Sequence, residues 1–168
     1  MEDFVDLEAS QDPGYMDPHK RLEAMDRDNV EAEVIFSEVG GSRLATPQLM
    51  GDDWAEALVG FNNAMADFAS VDPNRLLSAY HLPLFDIDFC LKEVDRLAAM
   101  GARAVQVPSF PSELGLPEVH DKRYAPLWSK LEETGIAILN HLEIRDQFWK
   151  VFRNDPTPQK GIFTAMPI

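Results

Sequence analysis

The stretch that decides the fold is Gly135-Ile136-Ala137-Ile138-Leu139-Asn140-His141, an apolar run of strand length that follows a helix-stopping glycine. Buried parallel strands have this composition, and enzymes built on such sheets place metal ligands and acid or base groups at the carboxyl ends of the strands. A neutral imidazole suits either role. His141 is therefore the first candidate site residue.

Similar apolar runs occur earlier in the chain, and segments with helical spacing separate them. The predicted strands are residues 32–36, 75–81, 104–107 and 136–141. Predicted helices begin at Asp17-Pro18, Trp54, Asp86 and Tyr124, and glycines at 101 and 135 stop the last two. Regular alternation of helix and strand with short connections predicts an α/β fold with a parallel sheet.

The second helix carries the clearest amphipathic pattern. Its large apolar residues alternate at spacings of four and three, which places them on one helix face that should be buried. They are Trp54, Leu58, Phe61, Met65 and Phe68.

Composition excludes several classes of protein. The chain has 168 residues, 45% of them hydrophobic, with a formal net charge of −14. Such acidity disfavours a nucleic-acid groove or an anionic membrane surface as partner. No apolar run approaches the ~18 residues of a membrane span, and the first residues are acidic where a signal peptide needs bases.

The single cysteine, Cys90, falls in an apolar helical pattern and predicts a buried thiol in a reducing compartment, so we expect a cytoplasmic protein.

Several short motifs occur in a characteristic order between residues 17 and 141. They are Asp17-Pro18, Arg21-Leu22, Met25-Asp26, Phe61-Asn62-Asn63, Phe68-Ala69, Asp72-Pro73-Asn74-Arg75-Leu76, Leu82-Pro83-Leu84, Asp86, Gly101-Ala102-Arg103-Ala104-Val105, Pro108, Pro111, Tyr124-Ala125-Pro126-Leu127-Trp128 and Glu133-Thr134-Gly135. In this order and spacing the chain resembles the amidohydrolase-related family, which includes aminocarboxymuconate-semialdehyde decarboxylase-like and resorcylate decarboxylase-like enzymes.

The resemblance implies a TIM barrel with one divalent metal, zinc or manganese. Family members hold it with a His-x-His pair on the first strand, a histidine ending the fifth and an aspartate ending the eighth, and a sixth-strand histidine assists. Only His141 carries over, as the fifth-strand ligand. This chain has no His-x-His, and its four histidines are isolated.

A complete barrel needs ~200–250 residues or more, so we expect a partial (β/α)₈ barrel of about four βα units. Residues 1–16 are predicted to form an arm or loop, and residues 17–168 a barrel domain truncated at both ends. The open strand edges of such a half barrel could assemble into a homo-oligomer.

Other side chains are candidates for substrate contact. In the second predicted strand His81 shares a face with Leu77 and Ala79, and in the third Gln106 is polar among apolar residues. Ser109, Phe110 and His120 lie in the following loop. A purely structural interpretation remains open for these residues. In it His81 is a packed histidine, Gln106 a buried amide that satisfies its own hydrogen bonds, and His120 an exposed loop residue. His141 is then a hydrogen-bonded histidine at a strand end that binds no metal.

These observations predict a fragment of a metal-dependent hydrolase or decarboxylase acting on a small carboxylated substrate, inactive as an isolated chain because one ligand does not hold a catalytic ion. The alternative is a non-catalytic βα scaffold or binding module that assembles with itself or with a partner chain.

Overall fold

The computed structural model describes residues 12–36, 51–109 and 111–140. Four helices alternate with four strands in these ranges. The helices are α1 (Pro18–Arg27), α2 (Trp54–Ala69), α3 (Ile87–Ala99) and α4 (Ala125–Thr134); the strands are β1 (Glu33–Ile35), β2 (Leu76–His81), β3 (Ala104–Gln106) and β4 (Ala137–Leu139). None of the helices in these ranges has the length and apolar character needed to cross a membrane.

The strands form one sheet in the order β1-β2-β3-β4, and every neighbouring pair is parallel. This arrangement confirms the predicted α/β class and the order of the elements. At the carboxyl end of the sheet the register pairs His81 with Gln106 and Gln106 with Leu139. The side chains of these three residues therefore share one face of the sheet.

Local signals in the sequence fix the helix boundaries. The Asp17 carboxylate accepts hydrogen bonds from the backbone N–H groups of His19 and Lys20 at the start of α1, and Asp86 accepts one from Phe89 at the start of α3. Gly135 ends α4 in the left-handed conformation, with φ of 69°.

The strands are shorter than predicted at several ends. β1 covers Glu33–Ile35 instead of 32–36, and β4 covers Ala137–Leu139 instead of 136–141. In the described residues β1 and β4 are the edge strands and each has one strand neighbour. The central strand β3 is also short, Ala104–Gln106 instead of 104–107, so the shortening is not confined to the edges of the sheet.

The main core lies between the sheet and helices α3 and α4. Tyr80 of β2 and Val105 of β3 point to this side, where they meet buried residues of the two helices. The core comprises Tyr80, Leu82, Leu84, Cys90, Val94, Leu97, Val105, Val107, Tyr124, Leu127, Leu131 and Ile136. A smaller cluster of Met25, Ala69 and Leu76 joins α1 and α2 to the first strands.

The predicted apolar face of α2 is only partly buried. Leu58 is fully buried, whereas Trp54, Phe61, Met65 and Phe68 are half-buried. The buried row of this helix also contains a polar residue, Asn62, which the pattern of large apolar residues did not indicate.

The edge strands leave apolar side chains exposed in the described part of the chain. Val34 of β1 is 44% exposed and Ile138 of β4 is 43% exposed. Before α1, the described residues of the expected arm contain a 3-10 turn, Pro13–Tyr15.

Candidate functional site

The carboxyl edge of β2 and β3 brings together two of the predicted site residues. His81 and Gln106 are paired in the sheet register, and both side chains are buried, with exposed fractions of 5% and 7%. Both lie on the face opposite Tyr80 and Val105, which belong to the helix-covered core. The structure therefore places His81 and Gln106 side by side on the face that lines the interior of a barrel.

Burial determines the charge of His81. Its imidazole ring lies 5.4 Å from the Phe61 ring, centroid to centroid, in an edge-on contact. Loss of water from around the ring lowers the pKa of His81 to about 4. The imidazole is therefore neutral at neutral pH, and one of its two ring nitrogens carries a proton.

The backbone of His81 is held by a side chain from α2. The Oδ1 atom of Asn62 accepts a hydrogen bond from the His81 N–H over 2.9 Å, and its Nδ2 donates to the His81 carbonyl oxygen over 3.1 Å. In the described residues the pairing of β1 with β2 ends at Ile35 opposite Ser78, before it reaches His81. The Asn62 amide therefore supplies the two hydrogen bonds that an adjoining strand would make at His81.

A buried carboxylate completes this polar cluster. Asn62 Nδ2 also donates to Glu93 Oε1 over 2.7 Å, and Glu93 is 3% exposed. The Arg96 guanidinium donates to both Glu93 oxygens, over 2.7 and 2.8 Å, and to Asn63 Oδ1 over 2.7 Å. Hydrogen bonding to Glu93 raises the pKa of Arg96. The Glu93 charge is thus paired, as a buried carboxylate requires.

Gln106 has a different environment. Its Oε1 atom is buried and has no hydrogen-bond partner. Within the described ranges it is the one buried side-chain oxygen or nitrogen of which this is true. Such an atom is unusual, because a buried acceptor without a partner is destabilising by about 1–3 kcal/mol.

The remaining candidates do not all join this pair. Ser109 is buried just beyond β3, whereas His120 is exposed in the loop that precedes α4. His141 and Phe110 lie outside the described residues. His19, at the start of α1, is exposed.

The loop between β3 and α4 is anchored by two aromatic side chains. Tyr124 donates from its hydroxyl to the Pro117 carbonyl oxygen over 3.0 Å. Trp128 Nε1 donates to the Val119 carbonyl oxygen over 3.1 Å. These bonds fix the segment that carries His120 against the start of α4.

The described residues do not make a metal site by themselves. No group of three or more His, Cys, Asp or Glu side chains is arranged there to hold an ion. A catalytic divalent ion needs about three protein ligands. No chemical step is therefore assigned to a metal on this part of the chain.

Cys90 is excluded as a nucleophile. As predicted it is buried, and its Sγ donates a hydrogen bond to the Pro83 carbonyl oxygen over 3.0 Å. Burial raises the pKa of the thiol, so the reactive thiolate is not formed near neutral pH.

Sequence reasoning missed Asn62 and Glu93. Both occupy buried positions on helix faces that are otherwise apolar, next to Leu58 in α2 and to Val94 in α3. A polar residue inside an apolar stripe is the feature that would have indicated them.

Solved structures superpose on this fold. The 2,6-dihydroxybenzoate decarboxylase from Rhizobium matches with a TM-score of 0.63 and 20% identity, covering 81% of this chain and 43% of that one. An amidohydrolase from Mycobacterium avium subsp. paratuberculosis K-10 superposes with a TM-score of 0.69 and 22% identity, covering 96% of this chain and 45% of that one. A third structure is a 5-carboxyvanillate decarboxylase from Novosphingobium aromaticivorans DSM 12444, solved with bound manganese and 3-methoxy-4-hydroxy-5-nitrobenzoic acid. It superposes with a TM-score of 0.62 and 15% identity, covering 88% of this chain and 39% of that one.

These likenesses confirm the fold: the described sheet and helices form part of a TIM barrel. The chain spans less than half the length of each of these structures. No curated protein sequence gives a significant match. The family model described as amidohydrolase matches residues 5–159, which is most of the chain. The chain therefore belongs to the amidohydrolase family.

Proposed function

We propose that this chain is part of a metal-dependent hydrolase or decarboxylase that acts on a small carboxylated substrate. The observation that carries the proposal is the family match over residues 5–159. Two of the superposed structures support the substrate class, since one is a 2,6-dihydroxybenzoate decarboxylase and the other was solved with bound manganese and a nitrobenzoic acid.

His141 is the proposed metal ligand. It follows Leu139 by two residues, and Leu139 pairs with Gln106 at the carboxyl edge of the sheet. Bound zinc or manganese would activate a water molecule or hold the substrate carboxylate. His81 and Gln106 are proposed to line the same mouth, and Ser109, Phe110 and His120 to contact the substrate from the following loop.

The chain is proposed to be a fragment that is inactive alone, because it spans less than half the length of the superposed structures and His141 is its one proposed metal ligand. Purified chain supplied with Mn²⁺ and 2,6-dihydroxybenzoate should therefore release no CO₂. Metal-dependent turnover would overturn this part of the proposal. Genomic sequence on either side should encode a His-x-His strand upstream and a strand ending in aspartate downstream, and in-frame stop codons at both ends would contradict a fragment.

Paramagnetic broadening by Mn²⁺ tests the ligand directly. Imidazole resonances of the purified chain are followed by NMR while Mn²⁺ is added. We expect His141 to broaden at the lowest metal concentration, and His141→Ala to remove that effect. His19, an exposed histidine at the start of α1 and outside all the proposed site residues, is the matched control. Equal broadening of His19 and His141 would contradict the assignment.

One observation favours a second candidate, a non-catalytic scaffold that assembles through its open sheet edges. Val34 and Ile138, on opposite edge strands of the described sheet, are both exposed. This candidate predicts concentration-dependent association in sedimentation experiments and no effect of Mn²⁺ on His141. A monomer with selective broadening of His141 would eliminate it.

A further inference from the structure

The pair formed by His81 and Gln106 has a chemistry of its own. The two residues are register partners at the carboxyl ends of β2 and β3, and both are more than nine-tenths buried. On the same strand face the neighbouring residues are Leu77, Ala79, Ala104, Ala137 and Leu139, which offer no side-chain polar group. His81 and Gln106 are thus a polar pair on an otherwise apolar surface of the described sheet.

Gln106 brings an amide oxygen to this surface. Its Oε1 atom is buried and has no hydrogen-bond partner in the structure. An amide oxygen only accepts hydrogen bonds, so it requires a donor. A hydroxyl group satisfies that oxygen, whereas a carboxylate would place negative charge against its lone pairs.

The charges nearby also disfavour a carboxylate. Arg96 donates to Glu93 and Asn63 on the helix side of the sheet. No Lys or Arg occurs on the inner-face positions of the described strands. His81 carries no charge at neutral pH, since burial lowers its pKa to about 4. A ligand carboxylate at this position would therefore be desolvated without a counter-charge from the described strands.

The position of His81 is fixed before any ligand arrives. Asn62 bonds its backbone N–H and carbonyl oxygen, and the Phe61 ring packs edge-on against its imidazole. Residues held in this way lose little conformational entropy when they bind.

We propose that His81 and Gln106 form a charge-neutral subsite that binds a hydroxyl group of the ligand, with Gln106 Oε1 as the acceptor. The inference rests on the proposed function, in which a carboxylated ring occupies this mouth. It assigns the ring hydroxyl to β2 and β3 and leaves the carboxylate to the metal side.

Three ring compounds test this assignment with the full 168-residue chain. Resorcinol carries hydroxyls only, 1,3-dimethoxybenzene has them blocked, and benzoate carries only a carboxylate. Each is titrated while the Gln106 side-chain amide and the His81 imidazole are followed by NMR. We expect resorcinol to shift both signals and to bind about five- to tenfold more tightly than the dimethoxy compound, the equivalent of one hydrogen bond. Equal affinities, or no shift at Gln106, would overturn the proposal without any substitution being needed.

The variant Gln106→Met removes the acceptor and keeps the length of the side chain. It should lower resorcinol affinity about five- to tenfold and leave the weaker dimethoxybenzene binding unchanged. Unchanged resorcinol affinity in a folded Gln106→Met chain would contradict the subsite.

The subsite and the proposed metal site can be tested independently of each other. Failure of Mn²⁺ to broaden His141 counts against the metal site alone, because the resorcinol titration is done without metal. Selective broadening of His141 with no preference for resorcinol counts against the subsite alone.

Discussion

The side-chain amide of Asn62 in α2 makes hydrogen bonds to both backbone polar groups of His81 in β2, over 2.9 and 3.1 Å. This relationship joins a helix to the carboxyl tip of a strand, where a barrel enzyme carries its site. It also extends to Glu93 on α3, so one buried amide connects three elements.

Replacement of Asn62 by leucine should be strongly destabilising. The His81 N–H, the His81 carbonyl oxygen and Glu93 Oε1 would each lose a buried partner. We expect the free energy of unfolding to fall by about 3 kcal/mol, because each buried group left unpaired costs about 1–3 kcal/mol. Urea unfolding monitored by circular dichroism measures the change.

The adjacent residue provides the control. Asn63 is exposed and accepts one hydrogen bond from Arg96. Asn63→Ala should therefore change stability by about 0.5 kcal/mol or less. Similar losses for the two variants would show that the Asn62 bonds are not the cause.

Stability should depend on pH through His81. Burial lowers its pKa from 6.5 to about 4 in the folded chain. Below pH 6.5 the unfolded state takes up a proton that the folded state does not, so stability decreases as the pH falls through this range. Between pH 7.5 and 5 the loss should be about 2 kcal/mol, measured by urea unfolding at several pH values.

Two histidine variants identify the titrating group. His81→Gln should flatten the pH dependence above pH 5, whereas His120→Gln should leave it intact because His120 is exposed. A slope that survives in His81→Gln would assign it to another residue.

Gln106→Met should be tolerated by the fold. The buried Oε1 atom has no partner in the structure, so its removal eliminates an unfavourable group. We expect stability to stay constant or to rise by about 1 kcal/mol in thermal unfolding. A decrease of about 2 kcal/mol or more would mean that Oε1 is hydrogen-bonded in solution.

A pair of glycine substitutions should have opposite effects. Gly135 has φ of 69° at the end of α4, and an added Cβ meets no atom there, so Gly135→Ala should cost about 1 kcal/mol through backbone strain alone. Gly60 lies within α2 in open space, and Gly60→Ala should stabilise by about 0.5–1 kcal/mol. Melting temperatures that move in the same direction would contradict this.

The order of the elements was predictable because their boundaries are set locally. Asp17, Asp86 and Gly135 cap their helices as the sequence indicated. The strand ends were less predictable, as β1 and β4 show. Where a strand ends depends on its partners in the sheet, and these are distant in sequence.

The candidate site was predictable only in part. Alternation placed His81 on a strand face with Leu77 and Ala79, and Gln106 was identified as a polar residue in an apolar strand. The structure pairs the two residues. The buried link through Asn62 and Glu93 was not foreseen, because it depends on how two helices pack onto the sheet. His141 and Phe110 lie outside the described residues, and their roles remain predictions.

The anchoring of the β3–α4 loop affects how its sequence can evolve. Both donors, Tyr124 and Trp128, belong to or adjoin the helix, whereas both acceptors are backbone carbonyls, of Pro117 and Val119. Every amino acid has a backbone carbonyl, so these two bonds place no demand on the side chains of the loop. Substitutions there can change the surface of the loop while its attachment to the barrel stays the same.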